Sequence, residues 1–142
     1  MTSRSARPYD IVVFGATSFV GQIMCDYLVE RHGTNDDIAW AIAGRSERKL
    51  DDISADVPWI VADASSADDM AALADSCRLV ISTVGPYALY GSELIAAVAD
   101  AGTDYVDLTG EPQWMQRMID AHAATAEKSG ARIVHTLSLI HI

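Results

Sequence analysis

A short apolar run, Tyr9-Asp10-Ile11-Val12-Val13-Phe14, passes directly into Gly15-Ala16-Thr17-Ser18-Phe19-Val20-Gly21 and then into a helical pattern. This strand–turn–helix constrains the fold more than any other segment. The run is nearly continuous in apolar residues, as in a strand buried on both faces of a parallel sheet. Gly15 permits the sharp strand-to-helix turn, and Gly21 lets the helix pack closely on the strand. Ser18 takes the middle position, where a small side chain lets backbone approach a pyrophosphate and a hydroxyl can donate to it. Thr17, Phe19 and Val20 complete the turn, whose N–H groups and positive helix end form an anion site without a basic residue. In this context the glycine pattern predicts dinucleotide binding rather than a tight turn alone.

The rest of the chain repeats the alternation. Strands are predicted at 38–43, 59–62, 79–83, 105–108 and 131–135. The intervening helices open on Ser46, Ser65-Ser66, Ser92 and Pro112, and Gly33, Gly102 and Gly130 close three of the helices. Six strands with helices between them predict an α/β fold, a Rossmann-type doubly wound parallel six-stranded sheet in the order 3-2-1-4-5-6. The 142 residues suffice for one domain with its own core, expected over 9–136, after a disordered extension at 1–8.

Ten Lys and Arg face twenty Asp and Glu, a net charge of −10 that argues against nucleic acid as a partner. Cys25 and Cys77 carry no metal spacing and fit a reduced, cytoplasmic setting, and no metal site is expected.

The second strand ends in Ala43-Gly44-Arg45-Ser46, with Arg48 and Lys49 just beyond. A site for NAD(H) places a carboxylate here for the ribose 2′-hydroxyl, whereas a guanidinium forks onto a 2′-phosphate. Arg45 and Ser46 therefore predict NADP(H) in preference to NAD(H); a solvated basic turn is the plainer alternative. Asp63, ending the third strand, can reach an adenine edge or simply close a turn. Thr83, Val84 and Gly85 end the fourth strand beside the reversal of strand order, where the middle of the cofactor is expected to lie. Tyr87 and Tyr90 line the nicotinamide side or only pack.

Some chemistries are missing. No Tyr is followed four positions later by Lys, and the turn lacks the Gly-Lys-Ser/Thr ending of a nucleotide triphosphatase. His122 reads as core-edge packing, while His135, after the sixth strand, is expected at the cofactor edge of the sheet. No residue is assigned a catalytic role.

Asp10–Thr17, Ala43–Ser46, Ser82–Tyr87 and Tyr105-Val106-Asp107-Leu108-Thr109-Gly110-Glu111 together resemble the saccharopine dehydrogenase-like oxidoreductases, within them the bacterial trans-acting enoyl reductase branch. The resemblance implies an NADP-dependent reductase whose small-molecule or lipid-like substrate is met by a further domain. It leaves peripheral membrane association to the full-length protein alone and is compatible with a homo-oligomer. Residues 137–142 depart from the family pattern and are expected to be a non-native or truncated tail, so that the chain alone would be inactive. The reading from another class is a non-catalytic, redox-sensing dinucleotide module.

Overall fold

In a computed structural model describing residues 3–53 and 56–137, the apolar runs join one parallel sheet. Its strands are β1 (Tyr9–Phe14), β2 (Trp40–Gly44), β3 (Trp59–Val61), β4 (Cys77–Ser82), β5 (Asp104–Asp107) and β6 (Ile133–Val134). Their order is β3-β2-β1-β4-β5-β6, as the alternation predicted. The helices are α1 (Phe19–His32), α2 (Glu47–Ile53), α3 (Ala67–Asp75), α4 (Tyr87–Tyr90), α5 (Ser92–Ala101) and α6 (Pro112–Ser129). Positions 138–142 of the expected tail lie outside the described residues.

Strand alternation divides the core in two. Val12 and Phe14 of β1 pack with Met70 and Leu73 of α3 and with Leu94, Ile95 and Val98 of α5. Val13, one residue between them, faces Cys25 and Leu28 of α1 and Leu50 of α2 on the opposite side. Both layers are needed, so Ile11–Phe14 of β1, Trp40–Ala43 of β2 and Leu79–Ile81 of β4 are apolar without a break. β1 pairs with β2 through Val12 and Ala41 and with β4 through Val12 and Val80. The chain leaves β1 in one direction and returns on its other side, which opens a crevice at the carboxyl ends of β1 and β4.

Several boundaries moved, three of them with a visible cause. β2 begins at Trp40, not Ile38, because side chains take the preceding donors: Ala39 N donates to Asp10 Oδ2 at 3.0 Å and Trp40 N to Asn35 Oδ1 at 2.8 Å. β6 is only two residues long, ended by Thr136 in the left-handed region at φ 59°. The predicted disordered start instead carries a 3-10 turn at Arg4–Ala6 and a buried Arg7. Its guanidinium donates to Cys77 O at 2.8 Å, Ala101 O at 2.6 Å and Thr103 Oγ1 at 2.5 Å. A polar composition could not reveal partners so far along the chain.

Candidate cofactor site

Gly15 turns the chain out of β1 at φ 84°, against the start of the loop that follows β4. A β-carbon there would meet Thr83 Oγ1 at 2.6 Å and Val84 Cγ2 at 2.8 Å, so this seam admits only glycine. At Gly21 a β-carbon would strike the Gly15 carbonyl oxygen and lie 2.8 Å from Ala16 Cα. α1 therefore sits directly on the turn.

Ser18 does more than stay small. Its Oγ accepts from Gly21 N at 3.0 Å, capping α1, and lies 3.1 Å from Thr83 Oγ1. Thr83 Oγ1 in turn reaches the carbonyl oxygens of Phe14 and Gly15 at 3.1 and 3.0 Å. The hydroxyls thus fasten β1, β4 and the helix start into one rigid unit. With Gly21 N held by Ser18 and Gln22 N bonded to Ser18 O, the Phe19 and Val20 N–H groups are the first-turn donors left for an anion.

A cleft of about 260 Å³ opens above this turn. Gly15, Thr17 and Ser18 line it from the turn, Arg45 from the end of β2, Asp63 from the end of β3, and Thr83, Val84 and Gly85 from the end of β4. The fold thus gathers eight of the predicted residues from four segments into one crevice. Five stand elsewhere. Phe19 and Val20 turn exposed side chains outward, so backbone is what they offer; Gly21 lies beneath the turn. Ser46 precedes α2, its Oγ 3.5 Å from Lys49 N. Tyr87 is buried against Trp114, ring centroids 5.5 Å apart, and donates its hydroxyl to Ser82 O at 3.1 Å. Burial, ahead of the nearby Asp107 and Glu111 carboxylates, pushes that hydroxyl up to about 12.

Sequence reasoning missed Phe14, Gly44, Ala62 and Ala64, whose places in the cleft follow only from where the strands end. Tyr90, for which packing had stayed open, lines the cleft. Asp63 closes a turn as well: its Oδ1 accepts from Ser65 N at 2.8 Å and Ser65 Oγ at 2.7 Å. Those bonds, with Arg45 nearby, hold its carboxyl below the usual range.

Glu111 is the other omission. Its two carboxylate oxygens accept from Tyr87 N at 2.6 Å and Ala88 N at 3.1 Å, capping α4 immediately after the Val84–Gly85 edge of the cleft. Four residues of helix do not stand alone, so this cap holds the loop. Its position before Pro112 was the only sequence hint. Glu111→Ala should lower the unfolding free energy by about 2–3 kcal/mol, and Glu111→Gln, which keeps one acceptor, by about half that. Urea unfolding of both variants checks the order.

His135 is not at the cleft. Its ring meets Trp114 and Tyr105 edge-on, centroids 5.2 and 5.9 Å apart, and its Nδ1 lies 2.7 Å from Asp107 Oδ2. Asp107 is fully buried and also accepts from Tyr105 OH at 2.9 Å, Thr136 N at 2.9 Å and Thr109 N at 3.1 Å. Burial alone would raise its carboxyl, but these bonds, His135 first, hold it below the ordinary range. As a carboxylate it only accepts, so His135 donates from Nδ1, and its Nε2 makes no hydrogen bond among the described residues.

An all-parallel 3-2-1-4-5-6 sheet with a tight glycine turn at its switch point defines a dinucleotide-binding domain. Residues 11–134 match the saccharopine dehydrogenase NADP binding domain, and the chain belongs to this family. NADP is accordingly its cofactor, and the tight Gly15–Gly21 cradle with Arg45 on its rim fits that group. A Mycobacterium tuberculosis (strain ATCC 25618 / H37Rv) protein provisionally named a trans-acting enoyl reductase is 44% identical over 136 residues. The trans-acting enoyl reductase of Mycobacterium leprae (strain TN) is 42% identical over 139 residues. These alignments cover 91% and 93% of this chain but 32% of each relative, so the chain spans about a third of their length. In fold it is similar to apo saccharopine dehydrogenase (L-Glu forming) from Saccharomyces cerevisiae, with TM-score 0.75 and 18% identity over 93% of this chain and 28% of that one. A short chain dehydrogenase from Burkholderia cenocepacia J2315 in complex with NADP gives TM-score 0.63 and 15% identity over 91% of this chain and 71% of that one. Among the described residues no helix is long and apolar enough to cross a membrane.

Proposed function

We propose that this chain is the cofactor-holding domain of an NADPH-dependent reductase of the enoyl reductase type. The carrying observation is the cleft itself: a glycine turn at the switch point, with a guanidinium on the rim at the end of β2. The names of its mycobacterial relatives support the reaction class. When bound, NADPH supplies a hydride to an activated carbon–carbon double bond. The protein's part here is to bind and orient. The Phe19 and Val20 N–H groups and the α1 dipole face the pyrophosphate, Arg45 forks onto the 2′-phosphate, and the Glu111-held loop supports the nicotinamide half.

Proton delivery is a different matter. Tyr87 is buried, Asp63 is engaged by Ser65 and His135 lies away from the cleft, which leaves Tyr90 as the exposed phenol on its lining. The acceptor-binding groups, and any proton donor other than Tyr90, would then belong to polypeptide outside the segment shared with the relatives, and we expect the 142 residues alone to bind NADPH without turnover. Calorimetric titration tests the first half. Arg45→Ala should weaken NADPH by about 1.5–3 kcal/mol and leave NADH nearly unchanged. Equal binding of both cofactors by the parent chain would end the 2′-phosphate reading. Oxidation of NADPH by the chain alone, given an enoyl thioester, would overturn the division of labour. Tight binding with no turnover even in a protein of the relatives' length would favour a redox sensor.

A further inference from the structure

On the opposite side of β5 from the cofactor cleft, α6 and β6 enclose a groove of about 530 Å³ that shares no lining residue with it. Met115, Met118 and Ile119 form one wall and Ile133 and Val134 the other. His135 closes its end. The imidazole is 6% exposed, and its Nδ1 is committed to Asp107, so Nε2 is an unpartnered polar atom on a side chain more than nine-tenths buried. No buried side-chain nitrogen or oxygen among the described residues lacks a partner, so Nε2 keeps access, and the groove is the cavity that reaches its ring. Volume, largely apolar walls and a fixed polar group at the end, with His122 and Glu127 also on the lining, are the makings of a small-molecule site. Flexible Met side chains let such walls adapt to shape.

We infer that the α6–β6 groove is a second ligand site, which takes an apolar molecule carrying one hydroxyl and receives that hydroxyl on His135 Nε2. A hydroxyl both donates and accepts, so it supplies the partner that Nε2 lacks, and the apolar body covers Ile119 and Val134, now 48% and 44% exposed. Aliphatic, methionine-lined walls favour a hydrocarbon body over a charged one, and an acidic molecule would in addition meet Glu127 at the rim. The site stands or falls independently of cofactor choice.

The test pairs 4-propylphenol with propylbenzene, titrated into the 142-residue chain and followed by Trp fluorescence and by the imidazole nitrogen resonances of labelled histidine. The phenol should bind at least about fivefold more tightly and shift the His135 Nε2 resonance. His135→Phe keeps the ring and should erase that preference, while His122→Ala should retain it. Ala123→Trp, which fills the groove from an exposed position without touching the Asp107 bonds, should abolish binding of both probes. Equal affinity for the two probes, a preference that survives His135→Phe, or binding undiminished by Ala123→Trp would each overturn the assignment.

Discussion

Asp107→Ala should lower the unfolding free energy by about 3–5 kcal/mol, the range for removing one partner from a buried charged network. Four donors converge on this carboxylate: His135 Nδ1, Tyr105 OH, Thr109 N and Thr136 N. Alanine would leave all four facing a dry cavity. The left-handed Thr136 would lose its backbone tie and keep those of its hydroxyl, to Thr109 O at 2.8 Å and Met115 Sδ at 3.4 Å. The carboxyl is depressed in the folded state, so the unfolded chain binds the proton more readily. Its contribution is full above the unfolded pKa of about 3.9 and is lost as pH falls through the lower folded value. Asp104 behaves likewise, held down against burial by Arg132 and Arg4. Urea midpoints followed from neutral to acidic pH should fall for the parent below about pH 4 and fall less for Asp107→Asn. A variant that keeps the parental acid slope would remove Asp107 from the account.

The second large effect is at the turn. Gly21→Ala should cost about 1–3 kcal/mol of stability and weaken NADPH at least tenfold. The added β-carbon meets backbone, the Gly15 carbonyl and Ala16, which cannot swing aside like a side chain. Relief requires lifting α1 off the turn, and that displaces the Phe19 and Val20 N–H groups together. Gly85→Ala is the control in the same cleft. Its nearest neighbours would be Tyr87 Cε2 at 3.5 Å and Cδ2 at 3.7 Å, an ordinary contact, so a change within about 0.5 kcal/mol is expected. Thermal unfolding and NADPH titration of both variants separate packing from phosphate binding. If Gly21→Ala bound NADPH like the parent, the turn would not be the phosphate site.

Much of the fold was legible because its signals are local. Apolar runs of strand length, serine caps and Gly15–Gly21 each act over a few residues, and their sequence alternation admits few topologies. The turn, Arg45, Asp63 and Thr83–Gly85 could be placed around one crevice before any coordinates because a doubly wound sheet brings strand ends together. What stayed hidden depends on distant partners. Arg7 reads as part of a polar tail until Cys77, Ala101 and Thr103 are seen around it. Glu111 reads as a residue before a helix until it meets Tyr87 and Ala88. His135 was expected at the cofactor edge, but Asp107 and Trp114 draw its ring onto the α6 face instead.

By itself, then, the sequence determined the strand order, the glycine turn and, through Arg45, the cofactor type, since short-range backbone preferences, glycine sterics and one local charge decide those. Only the tertiary structure decided which hydroxyls brace the turn, which carboxylate holds the cleft loop and which way His135 faces. Those depend on hydrogen bonds closed between residues tens of positions apart, and only the packed sheet brings such residues into reach.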